Sequence, residues 1–350
     1  MGNRQPRNEW VDVVRFWAML GVFFSHCRFP GWTGEYIRRF STLAVPLFFA
    51  SSGYFSAKIE KKHCQRRFLH MCRIVILANV FYFFYDLLEL LATRQDLSQF
   101  IRDTFTIKNL LVFLLLNESP LRGHLWFLGA LAYCSLAHLL WLIGRNRFAD
   151  NTLSQKAQNR LQMLTMCLLF AANYIGERYL YSIGAADKIL IAIRNWLFMG
   201  VPFYLLGIFC HRWTEQHLDR KNKVCLWLVI LICLFLFALV FTPYHHTLLL
   251  YLPTVPVIWC VLFLCGAERE RTPSRVFKMQ AAYYRRSGLL FYVLQIAIVR
   301  VVDLSVTGIG IDSSLIWHWC RPVLICGILF LLSGGIAKIR YCLVKRSASV

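Results

Sequence analysis

The chain is 350 residues long, with 58% hydrophobic residues, 16% charged residues and a mean hydropathy of +0.51. Soluble domains carry about 45–50% apolar and about 25% charged residues, so an ordinary water-soluble globular protein is excluded. The net charge of +21, from 39 Lys and Arg against 18 Asp and Glu, falls in short clusters between apolar runs, which is the pattern of a membrane protein anchored on one side rather than of a nucleic-acid-binding face.

A helix needs about 20 apolar residues to cross a hydrocarbon core about 30 Å thick. Ten segments qualify in chain order: 10–29, 41–57, 70–92, 124–144, 161–177, 189–210, 224–242, 247–266, 288–305 and 317–338. The apolar stretch Asn109–Leu116 is too short to span and is expected to lie on the surface or re-enter. With the N-terminus placed in the cytoplasm, the inside segments 1–9, 58–67, 145–160, 211–223, 267–287 and 338–350 hold 25 Lys and Arg, against 9 in the outside loops. That bias predicts an all-α polytopic membrane protein of about ten transmembrane helices with both termini cytoplasmic. No internal repeat, low-complexity tract or separate soluble domain is visible, so residues 1–350 read as one membrane domain. The first apolar run contains Asp12, Arg15 and His26 and no small-residue cleavage site; it reads as a retained span. Thirteen cysteines form no CxxC pair and no Cys/His cluster with ligand spacing, so neither a disulfide framework nor a metal site is expected.

Ionisable side chains inside a span are costly and mark function. Arg15 and His26 are eleven residues apart, three helical turns plus about 20°, and so share a face with an axial separation of about 16.5 Å. Asp12 lies one turn before Arg15. Such a stripe leads inward from the cytosol and suits a polar molecule. Arg15 would bind an anionic group or fix Asp12, and His26 would act as a general base. The alternative for the same residues is a buried interhelical hydrogen bond for His26 and a snorkelling Arg15.

The second span reads VPLFFASSGYFSAK, and its Ala50, Ser51, Ser52 and Gly53 permit close helix packing or close ligand approach. Lys58, Lys61, Lys62, Arg66 and Arg67 follow, with Arg73 just inside the third span. A topology anchor explains such a cluster, and arginines in it could equally take phosphate.

Taken together, these residues resemble the acyltransferase-3 family of integral membrane acyltransferases. The resemblance rests on the spacing of Arg15 and His26, on the FFxxSGYF-type stretch Phe48–Phe55 running on to Lys58, on Arg66, Arg67 and Arg73, and on the HLWFL segment His124–Leu128. Order and spacing agree from residue 9 to about 134. The chain departs from the family in carrying His70 where members often have Arg, and Gln295 where a Tyr-Leu-x-His pattern would end in His.

The resemblance implies transfer of an acyl group, most often acetyl, from cytosolic acyl-CoA to a hydroxyl of a cell-surface or lipid-linked glycan. His26 and Arg15 would be catalytic. Arg66, Arg67, Arg73, Lys58 and Ser52 would bind the donor, and His124 and Trp126 the acceptor. No permanently bound cofactor is implied; acetyl-CoA is the donor substrate. The partners are the glycan acceptor and membrane lipids in the cell membrane, with no nucleic acid. Direct transfer and an acyl-imidazole on His26 both remain open. A transporter or flippase of a polar or lipid-linked substrate is the competing class, because buried Arg, His and Asp also line transport paths. Arg300 and Asp303 are expected to pair along one helix. Trp317, His318, Trp319 and Arg321 form an outer cluster, Tyr244, His245 and His246 an outer turn, and Arg194 has no assignable role.

Overall fold

The computed structural model describes residues 8–147, 155–185, 195–218, 223–240, 248–307 and 314–347. Among these residues the chain is helical, with no strand. The helices are α1 (Glu9–His26), α2 (Gly31–Ser41), α3 (Ala44–Tyr54), α4 (Lys61–Thr93), α5 (Leu97–Thr104), α6 (Ile107–Leu116), α7 (Trp126–Arg147), α8 (Gln155–Ser182), α9 (Val201–Gln216), α10 (Lys223–Val240), α11 (Leu248–Ala267), α12 (Arg275–Thr307) and α13 (Leu315–Ser347). A 3₁₀ turn, Gly123–Leu125, leads into α7, and a π-turn, Trp196–Gly200, leads into α9.

The described parts of the apolar segments read from the sequence lie largely in helices. Four helical stretches, Lys61–Thr93, Gly123–Gly144, Arg275–Thr307 and Leu315–Lys345, are long and apolar enough to cross a membrane. The protein is a membrane protein built from such helices. The basic segments expected as loops differ from expectation. Residues 61–67 form the first turns of α4, and 275–287 and 338–347 belong to α12 and α13. Hydropathy locates only the apolar part of a helix, whereas Lys, Arg and Gln are good helix formers that continue it into water.

Local capping sets several starts. Asn8 accepts a hydrogen bond from the Trp10 N–H (3.1 Å) and opens α1, while its own amide reaches the Cys265 carbonyl (2.7 Å). Asp96 caps α5 through Ser98 N–H (2.8 Å), and Thr106 caps α6 through Asn109 N–H (3.1 Å).

The described residues form two compact units, one within Met1–Phe48, His217–His245 and Pro256–Val350, the other within Phe49–Gln216 and His246–Val255. In the first, α1 packs along α12. Trp10 meets Phe277, Phe16 meets Tyr283 and Phe23 meets Phe291, with ring centroids 5.6, 6.0 and 5.8 Å apart. The near-constant register of these pairs means that α1 and α12 run in the same direction. α12 and α13 run antiparallel: Tyr283 bonds Ser333 (2.6 Å), and Asp303 meets Arg321.

In the second unit α4 and α7 are antiparallel. Cys64 donates to the Ser135 carbonyl (3.6 Å) at one end, and Tyr82 packs edge-on against His124 (5.1 Å) at the other. The buried positions of α4, Cys64, Met71, Ala78, Tyr82 and Asp86, recur every seven or four residues and form one stripe. α3 and α9 touch backbone to backbone. A β-carbon on Gly207 would lie 1.7 Å from the Ala50 carbonyl oxygen. The small-residue run Ala50–Gly53 therefore serves helix packing, one of the two roles its composition allows.

Candidate functional site

Three polar clusters stand out, one in the first unit and two in the second. The first is on α1. Val11, Asp12, Val13, Arg15, Phe16, Met19, Val22 and Phe23 are buried along the helix face that meets α12. Asp12 is fully buried, and its carboxylate lies 4.0 Å from the Arg15 guanidinium and 3.4 Å from that of Arg285 on α12. Glu9 also approaches Arg285 (3.5 Å). The Arg15 guanidinium lies 6.0 Å from the centroid of the Tyr284 ring. A buried guanidinium in an apolar face survives only with such partners. Sequence spacing thus brings Asp12 and Arg15 together as expected. His26 continues the same face as the last residue of α1, where the buried stripe ends and the side chain is exposed.

In the second unit, Arg67 turns inward from α4. Its guanidinium donates to the Ser52 carbonyl (3.2 Å) and to the Ser56 hydroxyl, and lies 6.0 Å from the Tyr204 ring centroid. The Ser56 hydroxyl donates to the same Ser52 carbonyl (2.7 Å), and the Tyr204 hydroxyl pairs with His138 Nδ1 (3.2 Å). Ser52, Ser56, Tyr204 and His138 are all buried. Arg66 and Arg73, one α-helical heptad apart, share the exposed face of α4 with His70. Lys58 is half exposed and pairs with Glu215 (2.6 Å), which His211 also approaches (3.4 Å). The donor candidates of the sequence reading thus divide into Arg67 and Ser52 in a buried network, Lys58 in an ion pair, and Arg66 and Arg73 at the surface.

The far end of α4 holds the third cluster. Asp86 lies 19 residues beyond Arg67, about 28 Å along the helix. Arg122 donates to one Asp86 oxygen, approaches Glu89 (3.6 Å), and holds its guanidinium 5.7 Å from the ring centroids of both Tyr82 and Tyr85. Ser119 fixes the preceding loop: its hydroxyl donates to Asn79 (2.7 Å) and accepts from the Leu121 and Arg122 N–H groups (3.3 and 3.4 Å). His124 is buried beside Tyr82. Trp126 is buried against Phe49 (6.1 Å), a core position rather than an interfacial one.

Asp303, expected to pair with Arg300 along one helix, is engaged from a facing helix. Asp303 takes a bidentate contact from Arg321 of α13, with both N–O distances 2.6 Å. A planar guanidinium from a facing helix matches both carboxylate oxygens at once, a geometry favoured over a single contact along one helix. Of the outer cluster at the start of α13, Arg321 is thus held by Asp303, while Trp319 is partly exposed and packs near Phe29 (6.2 Å). Arg194 and the Tyr244–His246 turn lie outside the described residues. Gln295 is buried on α12, level with position 27 by the α1–α12 register.

Sequence reasoning missed Arg285, Asp86, Arg122, His138 and Tyr204. Asp86 carried a usable signal, because it is an ionisable residue inside the predicted third span. Arg285 was absorbed into the count of topology anchors. Arg122 stands 36 residues from Asp86, so no local spacing joins them.

Compared with known proteins, the chain matches no curated protein and no solved structure. A family model does match: residues 8–337 fit the Acyl_transf_3 model, described as an acyltransferase domain. That match takes in all three clusters and nearly the whole chain, and the protein therefore belongs to the acyltransferase-3 family of membrane acyltransferases.

Proposed function

We propose that the protein transfers an acetyl group from cytosolic acetyl-CoA to a hydroxyl of a cell-surface or lipid-linked glycan, as a ten-span protein of the cell membrane with both termini in the cytoplasm. The observation that carries this reading is the polar face of α1, where Arg15 is buried with Asp12 and the same face ends in the exposed imidazole of His26. A purely structural arginine would not require a histidine to emerge in register with it.

In this reading the acceptor oxygen attacks the thioester carbonyl as His26 takes its proton. The carbon–sulfur bond breaks, and the CoA thiolate leaves to be protonated. Arg15 orients the donor. Arg66 and Arg73, exposed on one face of α4, take the donor's phosphates. Arg67 shapes the neighbouring surface through Ser52 and Ser56, with Lys58 at its edge. His124 and Trp126 belong to the acceptor side, Trp126 from its buried position against Phe49.

The test is His26→Ala in purified, correctly folded protein, with acetyl-CoA and a surface-glycan extract. Loss of acceptor-dependent thiol release and of O-acetylated product is expected. Native transfer by the variant rejects His26 as the base. Movement of the acceptor without thiol release by the native protein would favour a transporter.

A further inference from the structure

The cluster at the end of α4 has a feature that the ion pairs leave unexplained. Asp86 is 5% exposed, and only one of its carboxylate oxygens is engaged, by Arg122. The other oxygen, Oδ2, is buried with no hydrogen-bond partner among the described residues. A buried acceptor without a donor is costly, so a donor reaching this oxygen would stabilise it. A carboxylate accepts only, and the missing partner must therefore be a donor.

The surroundings narrow the donor's chemistry. Asp86 and Glu89 together outweigh Arg122 by one negative charge, which disfavours an anionic ligand such as a phosphate or a uronic acid. The side chains of Glu89 and Arg122 are 20% and 28% exposed and form the outer wall of the cluster, so they are the groups that can yield to an incoming molecule. Tyr82 and Tyr85 already present their faces to the Arg122 guanidinium. A carboxylate acceptor beside a guanidinium is an inventory that binds neutral polyols: one hydroxyl donates to the carboxylate and its neighbour accepts from the guanidinium.

We propose that Asp86 and Arg122 form a binding site for a pair of adjacent hydroxyls on a neutral sugar, Asp86 Oδ2 accepting from one and Arg122 donating to the other. The site deepens the proposed function and rests on its reading of the acceptor as a glycan. Asp86 and Arg122 are binding residues in this proposal, and neither takes part in proton transfer. A neutral glycan is the class it selects; one bearing a carboxylate at this position is rejected by Asp86 and Glu89.

The experiment uses the full chain in lipid nanodiscs, with a neutral methyl hexopyranoside and the corresponding hexuronic acid as probes. Arginine modification by phenylglyoxal, resolved at Arg122 by mass spectrometry, is measured on the unmutated protein. The neutral glycoside is expected to protect Arg122, and the hexuronic acid and acetyl-CoA are not. Asp86→Asn keeps the shape and removes the charge. It should abolish that protection and raise the KM for a glycan acceptor roughly tenfold or more, the loss of a charge-assisted hydrogen bond, with KM for acetyl-CoA unchanged even though the weakened pair with Arg122 lowers the melting temperature.

Unprotected Arg122 in the unmutated protein overturns the site, and so does an Asp86→Asn variant with native acceptor KM. An Asp86→Asn variant that loses donor affinity as much as acceptor affinity assigns Asp86 to structure and overturns it too. Protection of Arg122 in a protein that transfers no acyl group sustains the site and removes the proposed reaction, so the two can fail separately.

Discussion

The carbonyl oxygen of Tyr204 fills the space where a side chain on Gly53 would begin: a β-carbon there would stand 1.8 Å away. Gly207 is related in the same way to the carbonyl of Ala50, so α3 and α9 meet through two glycines facing two backbones. Neither carbonyl can rotate aside without breaking its helix. Gly53→Ala must separate the helices and is expected to cost about 1–3 kcal/mol, the usual range for overpacking. Gly144→Ala is the control, because nothing lies within 4 Å of its added carbon. Melting in detergent should show a lower midpoint for Gly53→Ala and Gly207→Ala and none for Gly144→Ala. Equal midpoints for all three would show that the close approach is not a constraint.

The arginines of α4 should separate in experiment as they do in space. Arg67→Ala removes the donor to Ser52 and Ser56 in a buried network and should lower the melting temperature, with Arg67→Lys failing to restore it, since an ammonium lacks the guanidinium fork. Arg66→Ala alters an exposed side chain and should change stability by no more than about 0.5 kcal/mol. If the donor's phosphates rest on the exposed face, Arg66→Ala instead raises KM for acetyl-CoA severalfold. Identical behaviour of the two variants in both measurements would erase the distinction.

This division shows what was legible in the sequence. Hydropathy placed every helix that carries a cluster, and a spacing of eleven residues put Arg15 and His26 on one face, because a helix converts spacing into direction. The motif Phe48–Phe55 was visible as a run of small and aromatic residues, but its partner was not: Gly207 lies over 150 residues later, and only packing reveals that two glycines meet backbones. The basic cluster read as one unit because charge was counted without phase. On a helix, neighbours Arg66 and Arg67 point about 100° apart, which sends one to solvent and the other to Ser56. The pairing of Asp303 with Arg321 was hidden for a related reason, since an i,i+3 neighbour was in view and a facing helix was not.

The Asp12 carboxylate lies 4.0 Å from the buried Arg15 guanidinium and 3.4 Å from that of Arg285, so one carboxylate serves two arginines. Asp12→Asn keeps the side chain's volume and leaves two guanidinium groups beside a neutral amide. Breaking a buried pair from one side costs about 3 kcal/mol or more, so the variant should melt well below the native protein. Arg285→Gln removes a partly exposed partner and should cost less. A native melting temperature for Asp12→Asn would mean that Arg15 is held by other contacts.

On α2, outside the predicted spans, Glu35 accepts hydrogen bonds from Arg38 (2.6 and 2.9 Å) and from Arg39 (3.0 Å). The Arg38 hydrogen bonds, joined by that of Arg39 and by the nearby positive charge, lower its carboxyl from 4.5 to about 2, against a smaller opposing effect of burial. A depressed carboxylate stabilises the fold above its unfolded value and loses that contribution as pH falls through the folded one. The Glu35 clamp is therefore fully present above pH 4.5, declines below it and is gone below about pH 2. Its side chain is one-third exposed, so screening holds the effect to less than about 1 kcal/mol. Expressed as the melting-temperature difference between the native protein and Glu35→Gln, a small gap is expected at pH 7 in low salt. It should narrow in high salt and close on acidification from pH 4.5, and a gap that holds constant over that range would show that the ion pairs contribute nothing to it.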